Sequence, residues 1–299
     1  MESMMDLSNY VFAAPEMVLI GLICVVLVAD LFVEDHNRHI TFLLALASLA
    51  VTLATLLGTA PAESVLVFSN AYVADPLATV LKAATIGYVA IVFIYSRGYL
   101  GANELHKGEF YTLALFGLLG MMIMMSANSL LVMYLGLETL ALSQYALVAI
   151  DRKNVVSAEA AMKYFVLGAI ASGSLLYGIS WIYGTTGSLQ FDAIANVIAS
   201  DPSVNSVGLW FGLAFLLVGI AFKFGAVPFH MWLPDVYNGA RTPVTLYIAS
   251  APKIAAFALT FRILVDGLGG LHPVWNDMVM VIAVLSILVG NIVAIAQSN

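Results

Sequence analysis

Two lysines and a glutamate stand where the surrounding sequence offers them no water. Lys223 lies in LLVGIAFKFGAVPFHMWLPDV (216–236), with no Asp, Glu, Lys or Arg within ten positions on either side. Glu138 lies in YLGLETLALSQYALVA, and Lys253 directly follows Pro252 in SAPKIAAF. The chemistry open to such groups is proton exchange. Burial disfavours the ammonium form of a lysine and a neighbouring carboxylate favours it, so changing their separation loads or unloads a proton. At about 5 Å and an effective dielectric near 20, the attraction is roughly 3 kcal/mol. The same stretches carry helix breakers: Gly225, Pro228 and Pro234 follow Lys223, and Pro252 precedes Lys253. His230 falls in the broken region after Lys223. Two readings of it stay open, a hydrogen-bonded structural histidine and a member of a proton relay.

The solvent around these residues is lipid. The chain has 299 residues, 62% hydrophobic and 10% charged, with a mean hydropathy of +0.99. Soluble domains carry about 25% charged residues, so a soluble fold is excluded. A charge at mid-bilayer costs at least about 2.5–3.5 kcal/mol on insertion scales. Three such groups on three segments therefore imply one shared polar interior. The lone Cys24 supports neither a disulfide framework nor a cysteine metal site. The five histidines (His36, His39, His106, His230, His272) show no ligand spacing, so no metal is expected. No glycine-rich phosphate loop and no long basic run is present, which argues against nucleotide and nucleic acid. The acidic N-terminus reads as a retained span rather than a signal peptide.

A bilayer core about 30 Å thick needs about 20 helical residues. Nine candidate spans follow: 11–33, 40–58, 76–95, 110–126, 128–150, 157–183, 207–232, 242–265 and 274–296. Asp75-Pro76 and Thr242-Pro243 each place a capping side chain before a proline suited to the first helical turn. Asn128 is expected to cap the fifth span. The fourth span is short and is expected to be surrounded by protein. A short surface helix is expected over 191–198. The loops after spans 1, 3, 5 and 7 hold Arg38, Arg97, Lys107, Arg152, Lys153 and Arg241, and the alternate loops hold no Lys or Arg. This positive-inside bias puts the N-terminus outside.

Other charges read as ordinary. Lys82, six residues into span 3, is expected to snorkel to the outer interface. Glu16, Asp30 and Glu34 mark the ends of span 1, and Arg262 anchors the outer end of span 8. Lys163 is one turn from Glu159, and both an i,i+4 pair and a functional role stay open. Broken helices in lipid are tolerated inside protein or beside a water-filled cavity. Together with charges at mid-depth they are the equipment of an ion transporter.

AFKFGAVPFHMWLPDVYNGARTPVTLYIASAPKIAAF resembles the central motif of the proton-pumping, antiporter-like membrane subunits of respiratory complex I. The wording WLPDVYNGA and SAPKIAAF is nearer to the subunit N branch than to subunits L and M or the multisubunit Na⁺/H⁺ antiporters. YLGLETLALSQYALVA, EAAMKYFVLGAIASG and GNIVAIAQSN resemble the same family at its fifth, sixth and ninth spans. The resemblance implies an all-α integral membrane protein with a broken seventh helix. It divides the chain into a three-span region (1–109), a five-helix antiporter-like repeat formed by spans 4–8 (110–265), and the first helix of a second repeat (266–299), the rest of which is absent. It implies a proton relay of Glu138, Lys223, Lys253, Lys163 and His230. Lys223 is then the pumping lysine, Glu138 its partner, Lys253 the connecting lysine and Lys163 an additional one. It implies membership of an NADH:quinone oxidoreductase in the bacterial inner membrane, with other membrane-arm subunits as partners. NADH, FMN, iron–sulfur clusters and quinone would sit in those partner subunits, with no cofactor in this chain. Two alternatives remain at this point: a subunit of a cation/proton antiporter or membrane-bound hydrogenase, and a non-pumping structural or assembly subunit.

Overall fold

A computed structural model describes residues 7–34, 37–102, 108–200 and 207–296. Lys107, counted in the charge bias, and His36 and His106 lie outside the described residues, as do the last three residues of GNIVAIAQSN. In lipid every backbone polar group must find a partner within the protein, and helices do this segment by segment. The chain accordingly runs α1 (Leu7–Phe12), α2 (Ala14–Phe32), α3 (His39–Gly58), β1 (Val65–Val67), β2 (Tyr72–Ala74), α4 (Pro76–Ala102), α5 (Gly108–Ser126) and α6 (Leu130–Val148). It continues with α7 (Val155–Thr186), α8 (Phe191–Ser200), α9 (Val207–Phe224), α10 (Trp232–Gly239), α11 (Thr242–Phe261) and α12 (His272–Ala296). Among the described residues, nine helices are long and apolar enough to cross a membrane. They correspond one to one with the nine expected spans, and α8 is the expected short helix. α4 runs on to Ala102, so Arg97 is helical and not in a loop, and α9 stops at Phe224, short of the expected end at 232.

Local signals account for most of the boundaries. Asp75 Oδ1 accepts from Ala78 N at 2.7 Å, so the cap before Pro76 forms as expected. Asn154 caps α7 through Val156 N and Ser157 N, and Gly187 (φ +70°) ends that helix in the left-handed region. Two expected caps do not form. Ser129, not Asn128, is the residue before α6, and Asn128 instead donates to Asn70 O at 2.8 Å. Thr242 is the first residue of α11, whose entry is pinned by the bond from Arg241 to Asp151.

The hairpin β1–β2 was not expected. Its strands are three residues each, and the turn places Phe68, Ser69 and Asn70 at positive φ without a glycine. It is laced to two other links. Asn128 N donates to Ala71 O at 2.9 Å, and Gln190 Nε2 donates to Ser69 O at 2.6 Å. Asn128 thus belongs to this lacing, which explains why its side chain does not cap α6.

α5 lies at the centre, against α2, α3, α4, α6 and α11, and 78% of its apolar window is buried. This is the protein-surrounded fourth span. Several helices approach at glycines, and two crossings bring backbone against backbone between membrane-length helices. A Cβ on Gly120 of α5 would lie 2.5 Å from Gly136 O of α6, and one on Gly178 of α7 would lie 2.7 Å from Gly212 O of α9. Small residues at such crossings let backbones meet closely, which drives association where lipid removes the hydrophobic term. α12 contrasts with these: none of its apolar window is buried.

Two charges expected at the membrane interface are instead buried. Lys82 is only 2% exposed. Its Nζ lies 2.5 Å from Glu16 Oε1 and donates to Tyr72 Oη at 2.9 Å, while the Tyr72 hydroxyl donates to Glu16 Oε2 at 3.0 Å. Arg262 is likewise buried, bonded to Asp75 Oδ2 at 2.7 Å and Asp266 Oδ2 at 3.1 Å. Lys82 is thus paired with Glu16 of α2, and Arg262 with Asp75 just before α4 and with Asp266 one turn along its own segment, so each charge has an opposite partner inside the protein. Asp30 conforms to expectation, pairing with Arg38 at 2.7 Å at the end of α2.

Candidate functional site

The break after Lys223 leaves helical carbonyls to be satisfied, and the structure accounts for all four at the end of α9. Gly225 takes φ +70°, which lets Gly225 N reach Phe222 O at 3.0 Å and Ala226 N reach Ala221 O at 2.8 Å. These two bonds are a Schellman closure. The two carbonyls left over, of Lys223 and Phe224, accept from Lys253 Nζ at 2.7 and 3.0 Å. Trp232 Nε1 adds a second donor to Phe222 O at 3.0 Å. A cation at a helix C-terminus also meets the negative end of the helix dipole. The connecting segment then turns into α10, and Val227 N donates to Ser286 Oγ of α12 at 2.9 Å.

Lys253 reaches this junction from α11. That helix runs unbroken through Pro252, and its irregularity comes ten residues later as a π-turn over Arg262–Gly267. The expected interruption at Pro252 is therefore corrected. A proline removes one backbone donor and crowds the preceding turn, but here the turns on either side stay helical.

Glu138 faces the same interior from α6. Ser172 of α7 donates to Glu138 Oε1, and Ser172 Oγ also lies 3.2 Å from the Tyr134 hydroxyl. The Glu138 carboxylate and the Lys223 ammonium are within Coulombic reach of each other, and so are the Lys223 and Lys253 ammonium groups. Three of the residues singled out in the sequence thus converge from three helices. A carboxylate near one lysine with a second lysine beyond it is an arrangement in which a proton on one group biases its neighbour.

Lys163 stands elsewhere. α7 turns Tyr164 inward, where its hydroxyl donates to Gln144 Oε1 at 2.8 Å. Lys163 points outward, half exposed, to Glu159 Oε1 and to Asp235 Oδ2 of α10, each at 3.0 Å. The i,i+4 pair with Glu159 forms, and Lys163 has no direct contact with Lys223 or Lys253. His230 lies in the segment between α9 and α10. Among the described residues its Nδ1 is buried without a hydrogen-bond partner. It borders a groove of about 330 Å³ together with Val227, Tyr237, Ser286 and Val293.

Sequence reasoning missed Ser172, Trp232 and Asp235. Ser172 carries no charge to mark it. The one signal available was its period: it lies on the helix of EAAMKYFVLGAIASG, two turns and more from the inward Tyr164. Trp232 was quoted in the motif without a role, and its Nε1–H is a donor that a buried indole must place.

Comparison with known proteins places this geometry among relatives. The family model for NADH:quinone oxidoreductase/Mrp antiporter transmembrane proteins matches residues 127–299. Subunit N of NADH-quinone oxidoreductase from Thioalkalivibrio sulfidiphilus is 49% identical over 294 residues, covering 98% of this chain and 61% of that protein. Subunit N from Halorhodospira halophila is 51% identical over 293 residues, covering 97% and 60%. A chain of respiratory complex I from Thermus thermophilus with bound aureothin superposes with a TM-score of 0.77 at 31% identity, covering 95% of this chain and 58% of that one. A chain of the Mrp complex from Dietzia sp. shares the fold, with a TM-score of 0.70 at 21% identity over 88% of this chain and 49% of that one. The chain spans about three fifths of the length of the curated relatives it matches.

Proposed function

The chain belongs to the NADH:quinone oxidoreductase/Mrp antiporter transmembrane family, and from that premise we propose that it is a proton-translocating, membrane-arm subunit of an NADH–quinone oxidoreductase. In this reading redox energy arrives from partner subunits that bind NADH, FMN, iron–sulfur clusters and quinone. The chain itself supplies titratable groups at mid-depth. Glu138 sets the proton affinity of Lys223, and Lys223 exchanges a proton with Lys253. His230 and Lys163 act at the borders of this route. The protein sits in the bacterial inner membrane, N-terminus outside, among other membrane-arm subunits.

One observation carries the proposal: the Lys253 ammonium is seated on the carbonyl of Lys223 itself, at 2.7 Å. A lysine in apolar surroundings costs free energy whether or not it is used, and ionisable residues kept within membrane spans mark ion and proton pathways. The names of the relatives at about half identity support the choice of complex. The test is Lys223→Ala in the assembled complex, with proton uptake by inverted membrane vesicles measured per NADH oxidised. Loss of pumping is expected, and unchanged pumping in a correctly assembled complex overturns the assignment.

The family description also covers Mrp antiporters, so a cation/proton antiporter subunit is the second reading. Transport that requires Na⁺ would favour it. A purely structural subunit would tolerate Lys223→Ala with pumping intact, so the same measurement separates that reading.

A further inference from the structure

We propose that Trp232 is the positioning residue of this junction, fixing the Lys253 ammonium on the end of α9 with its ring face while its N–H holds the same helix end. The inference rests on the proposed Lys223–Lys253 relay and adds a residue to which that reading gives no part.

Trp232 is only 2% exposed and opens α10, directly after the broken segment. Its Nε1–H, the only polar group of the side chain, is spent on Phe222 O at 3.0 Å. Its ring centroid lies 5.3 Å from Lys253 Nζ. Both contacts converge on three consecutive residues at the end of α9: the indole takes the carbonyl of Phe222, and the lysine beside it takes those of Lys223 and Phe224.

The ring is itself held in place. It stacks on Tyr164 of α7 at 4.7 Å and 12°, and Tyr164 is fixed through its hydroxyl to Gln144 of α6. The ring of Phe222 lies at 5.4 Å, and Tyr237 meets it edge-on at 6.0 Å. An indole placed only to fill space has no need of a cation at its face. The face of an aromatic ring attracts an ammonium through its quadrupole and has no comparable attraction for a neutral amine. The two carbonyls can also be served by a neutral amine, which keeps two donors, so it is the ring that favours the loaded lysine. Once Lys253 has given up its proton, the ring no longer holds it, and the repulsion from Lys223 ends as well. Trp232 then acts through Lys253 and not on the proton directly.

The test keeps the assembled complex and changes only the ring. Fluorinated tryptophans at position 232 preserve shape and the N–H donor while draining the ring quadrupole. The rate of proton pumping per NADH oxidised is expected to fall stepwise with the number of fluorines, by up to about tenfold for a loss equal to one decade in equilibrium constant. Trp232→Phe, which keeps a ring face, is expected to pump better than Trp232→Leu, which keeps none. A flat response to fluorination overturns the proposal, as does equal pumping by the Phe and Leu variants. The relay is judged separately by Lys223→Ala. Pumping lost in Lys223→Ala together with a flat fluorination series sinks Trp232's role alone, whereas pumping retained in Lys223→Ala sinks both.

Discussion

The side chain of Lys253 closes the helix on which Lys223 stands, donating to the Lys223 carbonyl at 2.7 Å. The other carbonyls at that terminus are held by backbone amides and by Trp232. The end of α9 therefore depends on a titratable donor at just two points. A change of position by one lysine is felt by the backbone of the other.

Lys253→Ala leaves the carbonyls of Lys223 and Phe224 without their donor. The Lys223 bond is part-buried, and an unsatisfied buried polar group costs about 1–3 kcal/mol, so the assembled complex should lose both thermal stability and pumping. Lys253→Arg keeps donors and charge but does not release a proton under any working condition. It is expected to restore the thermal midpoint and not the pumping, measured side by side on the same vesicles. Pumping by the Arg variant would show that Lys253 need not deprotonate.

Ser172→Ala removes the hydroxyl that donates to Glu138. Hydrogen bonds to charged groups contribute about 1.5–3 kcal/mol, which corresponds to roughly a tenfold or greater change in the balance between Glu138 and Lys223. The expected result is a shifted pH dependence of pumping with assembly unchanged. Ser172→Thr, which keeps a hydroxyl, should track the parent profile. Identical profiles for the Ala variant and the parent would remove Ser172 from the site.

Lys82→Met leaves the Glu16 carboxylate buried beside Tyr72, where the two charged side chains are 3% and 8% exposed. Breaking a buried pair from one side costs about 3–5 kcal/mol, whereas replacing both partners with apolar residues is often neutral. Thermal unfolding of the complex should therefore show a large loss for Lys82→Met and substantial recovery on adding Glu16→Leu. Pumping per NADH in whatever complex assembles should stay at the parent level.

Gly178→Val tests the crossing of α7 and α9, where a Cβ meets Gly212 O at 2.7 Å. Overpacking of this kind costs about 1–3 kcal/mol, visible as a lower thermal midpoint. Gly173→Ala, on the same helix with nothing within 4 Å of the new carbon, should stay within about 0.5 kcal/mol of the parent. Equal effects at the two glycines would show that the approach is not tight.

The parts of the site that carry charge were legible in the sequence. Lys223 had no ionic neighbour for ten residues either way, and Gly225 and the prolines after it marked the place where its helix stops. Glu138 and Lys253 stood out for the same reason, since lipid makes every unpaired charge conspicuous. The partners of those charges were not legible. Ser172 and Trp232 are unremarkable as residue types, and their part depends on how α7 and α10 are rotated. The pairing of Lys82 with Glu16 was readable in principle. Each lies about one and a half turns into its expected span, and spans 1 and 3 run in the same direction, so the two sit at similar depth. Judging Lys82 by its distance to the interface alone concealed this. The hairpin gave no signal of its own, because its turn has neither glycine nor proline and its strands are three residues long. It exists because Asn128 and Gln190, from distant links, complete its hydrogen bonds.

The two glycine crossings differ in one respect that bears on biogenesis. α5 and α6 are consecutive and joined by a three-residue link, so this hairpin of helices can zip as soon as both have left the translocon. α7 must wait in the bilayer for α9 while the ribosome finishes the loop and α8 between them. Until α9 arrives, the Gly178 face of α7 lacks the backbone it meets in the folded protein.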